Sequence, residues 1–222
     1  MHDSYTHITV ILDRTGSMQS IRDDVIGGFN AFLQEQQALP GKATLTLVQF
    51  DSQDPYEVLC RFLPVKEAKP LTPDTYVPRA NTPLLDALGQ GMHDLALALA
   101  DMAGGRPDKV VFVVITDGRE NASREYTREQ IMELIEEKQA AGWEFVFLSA
   151  DLEAIGEAMR VGFAADRTLA FDKDAAGTLN AWRATSKNIA ELRRMRKADL
   201  SFEDEDRAMQ RSERRRKQDG TF

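Results

Sequence analysis

One cysteine, three histidines and no long apolar run narrow the field before any motif is read. The lone Cys60 excludes an internal disulfide and a thiolate cluster for zinc. It lies within the apolar run EVLCRFLPV, where a small thiol serves as a buried, inert core residue. His2 and His7 fall near the start of the chain and His93 falls inside a helical pattern, so none is placed to serve an active site. No apolar stretch approaches the length of a membrane span. The opening residues, MHDSYTH, contain no basic region leading into an apolar one, so the cytoplasm is the expected location. Neither a GxxxxGK[ST] phosphate loop nor a GxGxxG fingerprint is present.

Positive charge is also in deficit. The 28 Lys/Arg stand against 36 Asp/Glu, a net charge of -8 that favours solubility and argues against a whole-surface nucleic-acid binder. The imbalance is uneven. Ten of the basic and seven of the acidic residues lie between Arg193 and Phe222, leaving 18 against 29, or net -11, in the body.

What remains is an ordinary soluble composition, with 42 % hydrophobic residues over 222, enough for one domain with a full core. Apolar runs alternate with amphipathic stretches. ITVILD (8–13) reads as a strand buried on both faces, and Met18, Ile21, Val25, Phe29 and Phe32 then recur at helical spacing. ATLTLVQFD (43–51) and EVLCRFLPV (57–65) predict an antiparallel pair turned at SQDP. A second helical pattern runs from Leu85 to Met102, followed by KVVFVVITD (109–117), the most apolar strand candidate. Thr127 and Gln130 make a capping box for a third helix through about Ala141. EFVFLS (144–149), a short helix over 152–159, TLAF (168–171) and a long final helix from Ala175 past Leu192 complete the series. Strands separated by helices predict a doubly wound, mostly parallel six-stranded α/β sheet with one antiparallel edge strand. Ligands of such sheets bind beyond the carboxyl ends of the strands, where strand order reverses. The domain is expected to span residues 1–196. The residues from 197 to 222, rich in mixed charge, predict a solvated helix or a disordered extension.

Three loops at those strand or helix ends carry oxygen donors. ILDRTGSM supplies Asp13, Thr15 and Ser17; ANTPLLDAL supplies Thr82; VVITDGREN supplies Asp117. Each has an ordinary structural reading: Ser17 and Thr82 as helix N-caps, with Pro83 at the first helical position, and Asp117-Gly118 as a turn pair. Together they form a set of two carboxylates and three hydroxyls without His or Cys, the donor chemistry of a hard divalent cation such as Mg²⁺. Alternate positions in DxTxS let three side chains face one loop-enclosed space.

This arrangement resembles the metal-ion-dependent adhesion site of von Willebrand factor type A domains. The resemblance rests on D-R-T-G-S, a Thr before a helix and an Asp after a strand, and spans roughly Thr6 to Ala190. It implies that the hydroxyls of Thr15, Ser17 and Thr82 approach a metal, while Asp13 and Asp117 act directly or through water. Mg²⁺ is the expected ion, with Mn²⁺ or Ca²⁺ as substitutes. The open coordination position implies a protein partner that supplies an Asp or Glu carboxylate. Thr15 stands where the family motif has its first serine and keeps the hydroxyl. Without a visible secretion signal, the chain looks more like the intracellular bacterial or phage-type members, which serve as subunits of larger machines.

Neighbouring residues have two readings each. Asp51 is either an outer acceptor near the metal or a turn residue ending its strand. Arg14, Arg79 and Arg119 are either a ring that recruits an acidic ligand or ordinary surface arginines. Glu120 and Asn121 read as caps of their own loop, and Trp182 as core. Two rival functions stand beside a non-catalytic binding module. A metal-dependent phosphoryl-transfer hydrolase on a similar sheet would need a second acid where Thr15 stands. An interaction protein acting through its tail would use RRMRK and RSERRRK, although SFEDED interrupts their charge.

Overall fold

Apolar residues at every position of Ile8–Leu12, apart from Thr9, leave this stretch no face to give to water. It accordingly forms the centre of the sheet. The computed structural model describes residues 4–195 and 197–208. Six strands occur in the order β3-β2-β1-β4-β5-β6. They are β1 (Tyr5–Asp13), β2 (Lys42–Phe50), β3 (Glu57–Pro64), β4 (Lys109–Thr116), β5 (Trp143–Ser149) and β6 (Thr168–Ala170). All neighbouring pairs are parallel except β2 and β3. The doubly wound sheet with one antiparallel edge strand is therefore the observed fold.

The helices that cover it among the described residues are α1 (Arg22–Ala38), α2 (Leu84–Ala100), α3 (Arg128–Ala140), α4 (Leu152–Arg160) and α5 (Ala175–Arg193). The two-residue period of the strands sorts side chains between two cores. Ile8, Val10, Leu12, Val111, Val113 and Ile115 pack with α1 and α5. Ile11, Phe112, Val114, Phe145 and Phe147 pack with α2, α3 and α4 on the other face. Trp182 of α5 is fully buried against Phe29 and Phe32 of α1, with ring centroids 5.7 and 5.4 Å away. Gly28 makes that fit, because a Cβ there would lie 2.2 Å from Trp182 Cδ1. Trp182 is core.

The chain passes from β1 to β2 on one side, then returns through β3 and α2 to β4 on the other. Strand order thus reverses between β1 and β4, and the crevice there opens at their carboxyl ends.

The described residues beyond α5 lie partly on the body of the domain. Helix α5 stops at Arg193, whose buried guanidinium donates to Gln36 O at 2.7 Å and Gln36 Oε1 at 3.0 Å. Within residues 197–208, Leu200 and Phe202 enter the α1/α5 core, while residues 204–208 form a largely exposed helical turn. Leu200 N–H donates to Glu144 Oε2 at 3.1 Å, and Phe202 N–H to Asp166 O at 2.7 Å. Two apolar anchors two positions apart, too few to register as a periodic pattern, dock this segment on the body. The basic stretch RSERRRK lies outside the described residues. Among the described residues no helix is long and apolar enough to cross a membrane.

Candidate metal centre

The five oxygen donors converge at the β1/β4 crevice. Asp13 closes β1, and the register that pairs Leu12 with Ile115 sets it beside Thr116. Thr116 Oγ1 donates to Asp13 Oδ2 at 2.5 Å, and Thr15 N–H donates to Oδ1 at 2.7 Å. The carboxyl is wholly buried, and this burial pushes its pKa up to about 7, against the downward pull of the Thr116 and Thr15 hydrogen bonds. Across the crevice, Ser17 Oγ sits 3.1 Å from Thr15 Oγ1 and donates to Asp117 Oδ1 at 2.5 Å.

Thr82 arrives from the loop before α2. Asn121 holds it at both backbone groups: Thr82 N–H donates to Asn121 Oδ1 at 2.9 Å, and Asn121 N–H donates to Thr82 O at 3.1 Å. Gly118 lies between the hydroxyls. A Cβ there would come within 3.5 Å of Ser17 Oγ and 3.6 Å of Thr82 Oγ1, so glycine keeps the space between them open.

The loop backbones are pinned to one another. Arg79 N–H donates to Arg14 O at 2.9 Å and Gly16 N–H to Ala80 O at 3.0 Å. The fit at Gly16 is close, since a Cβ would meet Ala80 O at 3.3 Å. Beneath them the buried Tyr76 hydroxyl donates to Asp13 O at 2.7 Å. These contacts fix the DxTxS turn without using its side chains. The ordinary readings of the hydroxyls do not hold: the chain enters its 3-10 turn (Gly16–Ile21) and α2 at Thr15 and Pro83, and neither entry has a side-chain cap.

The flanking residues sort differently from the ring of arginines considered above. Buried Arg14 turns away from the crevice to Asp51, Gln49 and Glu57. Arg79 Nε also donates to Asp51, at 2.9 Å, and Arg119 pairs with Asp151 and Glu153. All three guanidinia are neutralised within the fold. Asp51 ends its strand as a structural hub: burial raises its pKa, but the N–H groups of Gln53 and Asp54 and the two arginines outweigh this and hold it low. Glu120 caps its own loop through Ala122 and Ser123, and it also accepts from Leu85 N–H of α2 at 2.9 Å. The sequence singles out neither Thr116 nor Lys173, and Asn121 reads there only as a loop cap. Thr116 could have been singled out, as the residue facing Asp13 once β1 and β4 are paired in parallel.

The donor set fits a hard divalent cation. Asp117 Oδ2 is buried, while Oδ1 of the same carboxylate accepts from Ser17 in the hydroxyl cluster. The sole cationic contact of Oδ2 among the described residues is the ammonium of Lys173. No group of three or more His, Cys, Asp or Glu side chains converges among the described residues, so an ion here would take hydroxyl ligands as well as carboxylates.

No protein-family model matches the chain, and no curated protein sequence does. Solved structures do. The fold is that of a von Willebrand factor type A domain. A von Willebrand factor type A structure from Catenulispora acidiphila superposes with a TM-score of 0.57 at 15 % identity, covering 83 % of this chain and 42 % of that one. The pilus adhesin SpaC of Lactobacillus rhamnosus GG, in its open conformation, gives 0.66 at 15 % identity over 86 % of this chain. The match takes up only 31 % of the adhesin, so the present chain corresponds to less than a third of that protein. The manganese-loaded TRAP protein of Plasmodium vivax gives 0.54 at 12 % identity, covering 80 % of this chain and 72 % of that one. At these identities the likeness is one of fold.

Proposed function

We propose that this von Willebrand factor A-like domain is a non-catalytic, divalent-metal-dependent protein-binding module. Asp13, Thr15, Ser17, Thr82 and Asp117 hold the ion, directly or through water, and Mg²⁺ is the physiological choice with Mn²⁺ or Ca²⁺ able to substitute. The observation that carries this reading is the convergence of the Asp13 and Asp117 loops on hydroxyls that cap no helix, with the buried Asp117 carboxylate meeting only the Ser17 hydroxyl and the Lys173 ammonium among the described residues. A bound ion would supply an electrophilic open position for a carboxylate from outside. The manganese in the TRAP structure supports a divalent ion in this fold. The partner is a protein presenting an Asp or Glu, and the domain serves as one recognition subunit of a larger intracellular assembly.

The residues of this chain have positioning roles. Thr116 and Thr15 N–H orient the Asp13 carboxyl, Asn121 sets the height of the Thr82 loop, and Tyr76 locks the turn after β1. Calorimetric titration of chelator-treated protein with Mn²⁺ tests the proposal. One saturable site in the parent, lost in folded Asp13→Ala and Asp117→Ala variants, is the expected outcome. Equal binding in parent and both variants would refute it.

A further inference from the structure

Lys173 lies in the loop between β6 and α5, two residues past Phe171, whose N–H bonds Ser149 O at 2.9 Å, and just before Asp174, the N-cap of α5. Its side chain reaches back over the end of β5 to the end of β4. There its ammonium pairs with Asp117 Oδ2, the oxygen that Ser17 does not bond. The Asp117 side chain is fully buried, whereas Lys173 remains 38 % exposed. A monovalent cation on a flexible four-carbon stem therefore sits on the carboxylate oxygen assigned above to a divalent ion.

We propose that Lys173 is a tethered competitor for the metal, a built-in counter-ion that the ion must displace from Asp117 to load the site. The inference rests on the metal-binding reading above. Two cations cannot share one buried carboxylate oxygen without strong repulsion at that separation, so ammonium and metal alternate. The exposed side of Lys173 gives its ammonium a way into water when the metal takes its place. With Lys173 in position the metal-free carboxylate is neutralised, and the domain keeps its fold without an ion. The exchange lowers the affinity for metal alone. An incoming carboxylate ligand restores the balance, so metal and acidic partner bind cooperatively.

The test uses the full chain and Mn²⁺ as the probe, with the parent, Lys173→Met, Lys173→Arg and Asp117→Ala compared by calorimetry and by thermal unfolding with and without metal. Lys173→Met is expected to bind Mn²⁺ about tenfold more tightly, the size of a modest ion pair removed from competition. Its midpoint without metal should fall below that of the parent while the Mn²⁺-loaded midpoint holds, so the metal-induced rise becomes larger. Lys173→Arg should stay near the parent, since it restores the charge. Unchanged or weaker Mn²⁺ binding in Lys173→Met, with binding still abolished in Asp117→Ala, overturns the competitor and leaves the metal site standing. Binding absent from the parent but present in Lys173→Met supports it. Absence from both overturns the competitor and the metal reading together.

Discussion

Asp51 and Asp117 are the first residues beyond β2 and β4, the two strands that flank β1, and both side chains are closed to water. Their surroundings differ. Asp51 accepts N–H groups from Gln53 and Asp54 on one oxygen and the guanidinia of Arg14 and Arg79 on the other. Asp117 accepts one hydroxyl, from Ser17, and faces a single half-exposed ammonium. A buried carboxylate with every lone pair met belongs to the architecture, and removing it strands its partners. One left short of donors costs the fold free energy, and a cation can return it. Two aspartates at equivalent ends of the same sheet thus have different tasks, set by neighbours that come from other loops.

The sharpest way to break this comparison is to remove the satisfied acid. Asp51→Ala leaves Arg14 buried with only Gln49 and the half-exposed Glu57. The expected loss in unfolding free energy is about 3–5 kcal/mol, measured by urea denaturation, with metal affinity of the remaining folded protein unaffected. A loss below about 1 kcal/mol would place Asp51 among the dispensable surface charges.

A second satisfied group, at the opposite end of β1, sharpens the contrast by pH. His7 is buried between the Thr44 hydroxyl at 2.8 Å and the Thr9 hydroxyl at 3.1 Å, stacked on Phe62. Burial lowers its pKa from 6.5 to about 3. The folded value lies below the unfolded one, so the native state resists protonation. Its contribution is present above pH 6.5 and is lost progressively as pH falls toward 3. Between pH 7 and pH 4 this amounts to about 3 kcal/mol. A His7→Gln variant should show a correspondingly flatter acid limb in a series of denaturation curves, whether or not Mn²⁺ is present. An identical limb in parent and variant would assign the acid sensitivity to the carboxylates.

The smallest effect on stability is expected at the under-satisfied acid. Asp117→Asn keeps the shape and frees Lys173 to water, so the metal-free unfolding free energy should change by about 1 kcal/mol or less. The same variant should lose the rise in melting temperature that Mn²⁺ gives the parent. A large loss of stability without metal would show that Asp117, like Asp51, is part of the frame.

Much of this was legible in one dimension. Strand and helix order follow from the periods of the apolar residues. ITVILD and KVVFVVIT could be nothing but interior strands, because leaving either face of them in water would expose several branched side chains at once. Thr127 and Gln130 form the capping box in full, since its donors and acceptors lie within four residues of one another. Asp13, Thr15 and Ser17 share a loop for the same local reason. The docking of Leu200 and Phe202 is not legible there, because two anchors make no periodicity.

The sequence by itself determined the order of elements, the two-sided burial of the central strands and the supply of carboxylates and hydroxyls at loop positions, all consequences of local spacing and side-chain chemistry. Tertiary structure alone decided how those charges are shared. The parallel register of β1 and β4 set Thr116 against Asp13, and the 120–126 loop brought Asn121 to Thr82. The turn after β1 sent Arg14 away from the crevice to Asp51, and the β6–α5 loop delivered Lys173 to Asp117. A hydrogen bond or ion pair forms where two groups meet, and residues a hundred positions apart meet only after the sheet has brought them together.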